Sequence, residues 1–246
     1  MANWNDPQPT RTGFGASPSV AGELSGARYD MGLRRHMLSI YNYMASGVLL
    51  SGIVAMLFAS SGMAASVMAT PLRWLIMLAP LGFVFAMSMG VQRMQTSTLK
   101  MLFWGFAVVM GLSLSTIFLV FTGASIATTF FATAGAFAGL SLYGYTTKKS
   151  LSGMGSFMVM GLFGILIAMV INIFLQSSGL QLAISILGVL IFAGLTAWDT
   201  QRLKEEYTYL AGTEFAGKAV IMGALTLYLD FINMFQFLLS FLGNRE

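Results

Sequence analysis

The sequence predicts an all-α membrane protein with seven transmembrane helices, and three observations carry that expectation. Of its 246 residues, 57% are hydrophobic and only 9% charged, where a soluble domain carries roughly 25% charged residues. Seven apolar runs, each near the roughly 20 residues needed to cross a hydrocarbon core of about 30 Å, lie between charged stretches. The basic residues, finally, fall in alternate inter-run segments, the pattern that the positive-inside rule produces.

The runs span approximately 37–59, 74–92, 101–121, 125–145, 156–175, 181–201 and 219–242. The first follows Arg34 and Arg35; the second sits between Arg73 and Arg93; the third begins after Lys100. Thr122-Gly123-Ala124 separates the third from the fourth, and Lys148 and Lys149 close the fourth. Gln176-Ser177-Ser178-Gly179 separates the fifth from the sixth, so both short segments read as tight turns between antiparallel neighbours. Arg202, Lys204 and Lys218 divide the sixth from the seventh. Eleven of the 13 basic residues thus share one side, which predicts a cytoplasmic N-terminus and, with an odd number of spans, a C-terminus outside. Residues 1–30, with Pro7, Pro9 and Pro18 and no apolar h-region, read as a disordered cytoplasmic tail rather than a cleaved signal peptide. Residues 31–246 form the membrane domain. Gly135 and Gly139, and Gly161 with Gly164 and Ala168, offer small faces for helix packing.

Composition excludes several classes of function. With 22 charges on 246 residues a soluble enzyme would leave large apolar patches in water. The absence of Cys removes disulfides, thiolate metal sites and thiol nucleophiles, and the single His36 removes any site that needs two imidazoles. The net charge of +4 is spread between apolar runs, so it reflects membrane orientation and not nucleic-acid binding.

Seven of the nine acids fall outside the runs; Asp199 and Asp230 do not. Asp230 lies about eleven residues into the seventh run, or roughly 15 Å at 1.5 Å per residue. A charged Asp at such depth costs several kcal/mol on insertion scales, and its presence signals a water cavity, a partner or a function. Runs two and six both end on the cytoplasmic side, which brings Arg93 and Asp199 to one level and lets run seven carry Asp230 inward. An Arg93–Asp199 contact would close the cytoplasmic mouth. Two carboxylates sharing a low-dielectric site titrate as a coupled pair, which makes a pH-sensitive latch. The alternatives are an interfacial Asp199, and an Asp230 hydrogen-bonded to Thr226 or Asn233 one turn away. Asn172, Asn233, Thr226 and Gln236 add polar groups suited to lining the same cavity.

Phe192-Ala193-Gly194-Leu195-Thr196-Ala197-Trp198-Asp199-Thr200-Gln201 and Leu225-Thr226-Leu227-Tyr228-Leu229-Asp230-Phe231-Ile232-Asn233-Met234-Phe235 closely resemble the signature of the transmembrane Bax inhibitor motif (Bax inhibitor-1) family. The resemblance continues through Gly144-Tyr145-Thr146-Thr147-Lys148-Lys149, Asn172-Ile173-Phe174 and Leu33-Arg34-Arg35, and it is greatest to the bacterial branch. It implies six helices around a central seventh, a multi-pass protein of the bacterial inner membrane, and a pH-dependent calcium leak. It also implies a pH-sensing pair at Asp199 and Asp230, with Arg93 as the basic latch. Calcium and protons are then passing ions, Asp199 and Asp230 a weak calcium site, and no cofactor is expected. The chain departs from the family pattern at Trp198, where Tyr is usual, at Ser150, where an Asp is frequent, and in having no acid between 74 and 92.

Three functions compete at this stage. A calcium leak gated by the pair is the first; two carboxylates suit a hard cation but give a weak, transient site. An intramembrane aspartyl protease also uses two aspartates on neighbouring helices, but the Gly-x-Gly of presenilin-like proteases is absent before Asp230, so no enzyme activity is expected. The third is an interaction protein that restrains a membrane protease or a stress or cell-death partner through residues 1–30.

Overall fold

A computed structural model describes the backbone of residues 18–244 and the side chains from residue 29 onward. Eight α-helices follow one another: α1 (Pro18–Ser60), α2 (Met63–Met68), α3 (Leu72–Gly90), α4 (Thr96–Leu114), α5 (Gly123–Thr146), α6 (Ser152–Leu175), α7 (Ser178–Leu210) and α8 (Phe215–Leu242), with a 3-10 turn extending α4 over Ser115–Leu119. Seven of these are long and apolar enough to cross a membrane, and each coincides with one of the seven predicted runs. The short α2 is the exception. The protein is therefore a multi-pass membrane protein of the all-α class.

The turns follow from their residues. Thr122 accepts a hydrogen bond from the Ser125 N–H at 3.3 Å and caps α5, and Ser177 does the same for the Leu180 N–H at the start of α7. Gln176 adopts the left-handed conformation (φ 49°) that ends α6 and reverses the chain within two residues. The C-terminal end is pinned to the other turn on the same face, since Asn244 bonds both Thr122 and Ser125.

At the N-terminus α1 begins at Pro18, within the segment 1–30 read as a tail. Pro18 opens the helix, a position where proline lacks nothing the helix needs, and no further proline interrupts the chain until Pro71. The remainder of the predicted tail, residues 1–17, lies outside the described residues.

Of the spanning helices, α8 is the most buried. Its principal neighbours are α7, α1, α5 and α4, while α3 packs chiefly on α4 and α6 chiefly on α7, so the ring of six does not close evenly around it. A buried polar knot ties three of these helices together. The Tyr228 hydroxyl on α8 meets Ser51 Oγ of α1 at 2.6 Å, and Ser51 in turn donates toward the Ala107 carbonyl of α4, with Oγ at 2.7 Å. Such a bond fixes helix register in a medium where apolar contacts have no hydrophobic advantage over lipid.

Small residues set the closest crossings, but not the expected ones. Gly135, Gly139 and Gly164 face open space, and Gly161 meets only the end of the Ile191 side chain. Helix backbones approach closely at Gly111, against Ser51 of α1, and at Gly144, where a Cβ would overlap the backbone of Ala197 on α7. Spacing alone cannot reveal this, because both faces of a lipid-exposed helix are apolar and only packing decides which one is covered.

Candidate functional site

The Gly144–Ala197 crossing holds α5 against α7 two residues before Asp199, and the consequences run along the next turn and a half of α7. Thr200 meets Ser141 at 2.9 Å, and Ser141 meets the Tyr41 hydroxyl at 2.6 Å, a hydroxyl chain from α7 through α5 to α1. Gln201 grips the α5–α6 connection with both ends of its amide, accepting from the Leu151 N–H at 2.7 Å and donating to the Lys149 carbonyl at 2.9 Å. Lys204 donates to the Tyr145 carbonyl at 2.8 Å and lies over the Tyr145 ring. This segment of α7 is thereby fixed against α1, α5 and the start of α6.

Asp199 projects from that fixed segment toward α8. It stands eleven residues, or about 16 Å, below the end of α7, and Asp230 stands fifteen residues into α8, so the antiparallel hairpin brings them to one level. Both are buried, at 5% and 4% exposure. The two carboxyl groups are neighbours, close enough for each to act on the other's charge. Each nevertheless retains a buried oxygen, Asp199 Oδ1 and Asp230 Oδ2, that accepts no directed hydrogen bond. Thr226 and Asn233 do not supply one. Their side chains turn back to the carbonyls of Met222 and Leu229 on their own helix.

The basic group at the pair is Arg202, whose Nη2 lies 2.9 Å from Asp199 Oδ1 in an oblique ion pair. Its guanidinium stacks over the Trp198 ring at 5.0 Å and also reaches Glu206, 3.5 Å away. These are the ion pairs present among the described residues. Arg93, the expected latch, is exposed in the α3–α4 loop beyond the end of α3 and does not meet Asp199. The reason is depth: α3 ends at Gly90, whereas Asp199 lies two to three turns inside the end of α7. Charge order along the chain could not give this, though the i,i+3 spacing of Asp199 and Arg202 on one helix was there to be read.

Asn172 also lies away from the pair. It closes the α6–α7 turn, accepting from the Ser177 N–H at 3.0 Å and donating to Gln181 at 3.1 Å, at the opposite end of α7 from Asp199. Asn233 lines a cavity of about 260 Å³ between α6, α7 and α8. His36 is buried with its ring 5.1 Å from that of Tyr207. Among the described residues no group of three or more His, Asp or Glu side chains gathers, so the pair offers a cation two carboxylates and no more.

The site is thus a pair of neighbouring buried carboxyl groups in a seven-helix membrane protein, faced by one arginine. The chain belongs to the family described as inhibitor of apoptosis-promoting Bax1, whose model matches residues 33–246. It is similar to the inner membrane protein YbhL of Escherichia coli, with 44% identity over 219 residues that cover 87% of this chain and 94% of that protein. It is also 49% identical over 220 residues to an uncharacterized protein of Rickettsia prowazekii, covering 89% and 93% of the two chains, and 44% identical over 247 residues to one of Caulobacter vibrioides, covering 94% and 98%.

Proposed function

We propose that the protein is a pH-dependent leak for calcium ions in a bacterial inner membrane, with Asp199 and Asp230 as the titrating pair and a permeant-ion site of low affinity. The observation that carries this reading is the pair of buried carboxyl groups on α7 and α8, in which Asp230 Oδ2 has no hydrogen-bond donor and Asp199 Oδ1 has only the oblique Arg202 guanidinium. A purely structural aspartate in this environment would have its oxygens satisfied, because an unpaired buried acceptor costs about 1–3 kcal/mol. In this reading a proton held between the two carboxyls lets them share a hydrogen bond and close on one another. Fully ionised, the two carboxylates repel each other and present oxygens suited to a hard cation. Arg202 takes the role first expected of Arg93, compensating Asp199 on the α7–α8 side. The distribution of basic residues supports a cytoplasmic N-terminus. In this reading the protein moves ions and catalyses no reaction.

The test is calcium entry into dye-loaded liposomes containing the purified protein. Calcium entry above that of protein-free liposomes, rising as the pair ionises, is expected. Entry equal to that of protein-free liposomes at every pH overturns the proposal and favours a protein that acts by binding a membrane partner.

A further inference from the structure

Along the α7–α8 hairpin, residues meet in levels seven apart. Asp199 pairs with Asp230; seven residues further along each helix, Phe192 stacks on Phe237 with ring centroids 5.8 Å apart and planes 25° apart. One or two turns beyond, Ser185 hydrogen-bonds Ser240 at 3.1 Å, and Gln181 approaches the same hydroxyl at 3.4 Å. Asp230, Asn233, Phe237 and Ser240 lie at spacings of three, four and three, one face of α8. Phe237 is seated on Gly188, where a Cβ would run into its ring.

Two cavities follow this face. One of about 610 Å³ opens at the α6–α7 turn, lined by Asn172, Gln176, Gln181, Ser185 and Ser240. The other, of about 260 Å³, narrows between aliphatic side chains of α6 and the Phe192 and Phe237 rings and reaches Asn233, one turn from Asp230. Gln181 and Ser240 line both. The side chains along the first cavity are mostly uncharged amides and hydroxyls. They suit a hydrated ion, and charge selection is left to the aspartates.

We infer that this seam between α6, α7 and α8 is a water-filled half-route for cations from the α6–α7 face to the aspartate pair, and that the Phe192–Phe237 stack is the apolar barrier between them. The inference rests on the leak reading for its ion, but the wet seam can be measured without flux. Apolar constrictions of this kind close a pore by excluding water, and removing a ring lets water through.

The chain contains no Cys, so single cysteines report local water without background. Ser240→Cys is expected to react with a membrane-impermeant hydrophilic thiol reagent added on the α6–α7 side; Asn233→Cys, on the pair side of the Phe192–Phe237 stack, is expected to react slowly alone and faster when combined with Phe237→Ala; and Ile167→Cys, exposed on α6 outside both cavities, is expected not to react. In liposomes Phe237→Ala should raise calcium entry several-fold, and Phe237→Leu, which keeps bulk in the seam, should raise it less. An Asn233→Cys/Phe237→Ala protein as unreactive as Ile167→Cys overturns the wet route. Phe192→Ala and Phe237→Ala that both leak at the parent rate, in a protein whose Asp230→Asn change alters entry, overturn the barrier. A reactive Asn233→Cys/Phe237→Ala protein with no flux at all defeats the leak reading and, with it, the seam's role as an ion route.

Discussion

Arg202→Ala is expected to raise the calcium leak several-fold and to weaken its dependence on pH, while leaving the protein folded. The guanidinium does three things at once: it pairs with Asp199 at 2.9 Å, stacks on Trp198 and approaches Glu206 to 3.5 Å. Without it, Asp199 keeps only Asp230 as a polar partner, and the α7–α8 side of the pair loses its sole nearby positive charge. Breaking a fully buried ion pair costs 3–5 kcal/mol, but the Arg202 side chain is 39% exposed, so water compensates most of the loss and about 1–2 kcal/mol is expected. Arg202→Lys separates the roles. An ammonium supplies charge but not the planar group that pairs and stacks together, so an intermediate leak is expected. Calcium entry into liposomes measures both variants. An Arg202→Ala protein with the parent's rate and pH profile would show that the ion pair is structural.

Gly144→Val is expected to be the most damaging single change in the membrane domain outside the site. The new side chain would have to occupy the backbone of Ala197, which no rotamer avoids. Displacing α7 there also pulls Thr200 from Ser141 and Gln201 from the α5–α6 connection. Overpacking at a rigid contact costs roughly 1–3 kcal/mol and more when backbone must move, so the cost here is expected at about 3 kcal/mol or above. Gly139→Val is the control, because a Cβ at Gly139 meets nothing within 4 Å, and a change within about 0.5 kcal/mol is expected. Thermal unfolding in detergent compares them. Equal melting temperatures would mean that the α5–α7 crossing does not set the fold of the site.

The seven spans were legible because charged residues punctuate the apolar runs, and the aspartate pair because Asp199 and Asp230 are the acids that interrupt them. What lay beyond reading shares one cause: in an apolar chain the sequence marks depth but not direction. α7 continues past its predicted end through Arg202, Lys204, Glu205 and Glu206 to Leu210, since a helix does not stop where the membrane does. Arg202 therefore read as part of a surface charge run, although its helical position aims it back at Asp199. Arg93 read as the latch because its place along the chain matched, yet α3 lies on the outer side of α4 and leaves it exposed. Gly135 and Gly139 had the spacing of a packing face but look away from every neighbour, while Gly144, with no such partner in sequence, carries the contact.

The account turns on Asp199 and Asp230 acting as one titrating gate. The most direct test is the rate of calcium entry into dye-loaded liposomes across a pH series, comparing the parent with the Asp199→Asn/Asp230→Asn protein. Amides keep the shape and a hydrogen bond between the two positions but remove both titrating groups. The account predicts a rate that changes with pH in the parent and a flat profile in the double variant. A double variant that follows the parent's pH profile would contradict it and move the gate elsewhere in the molecule.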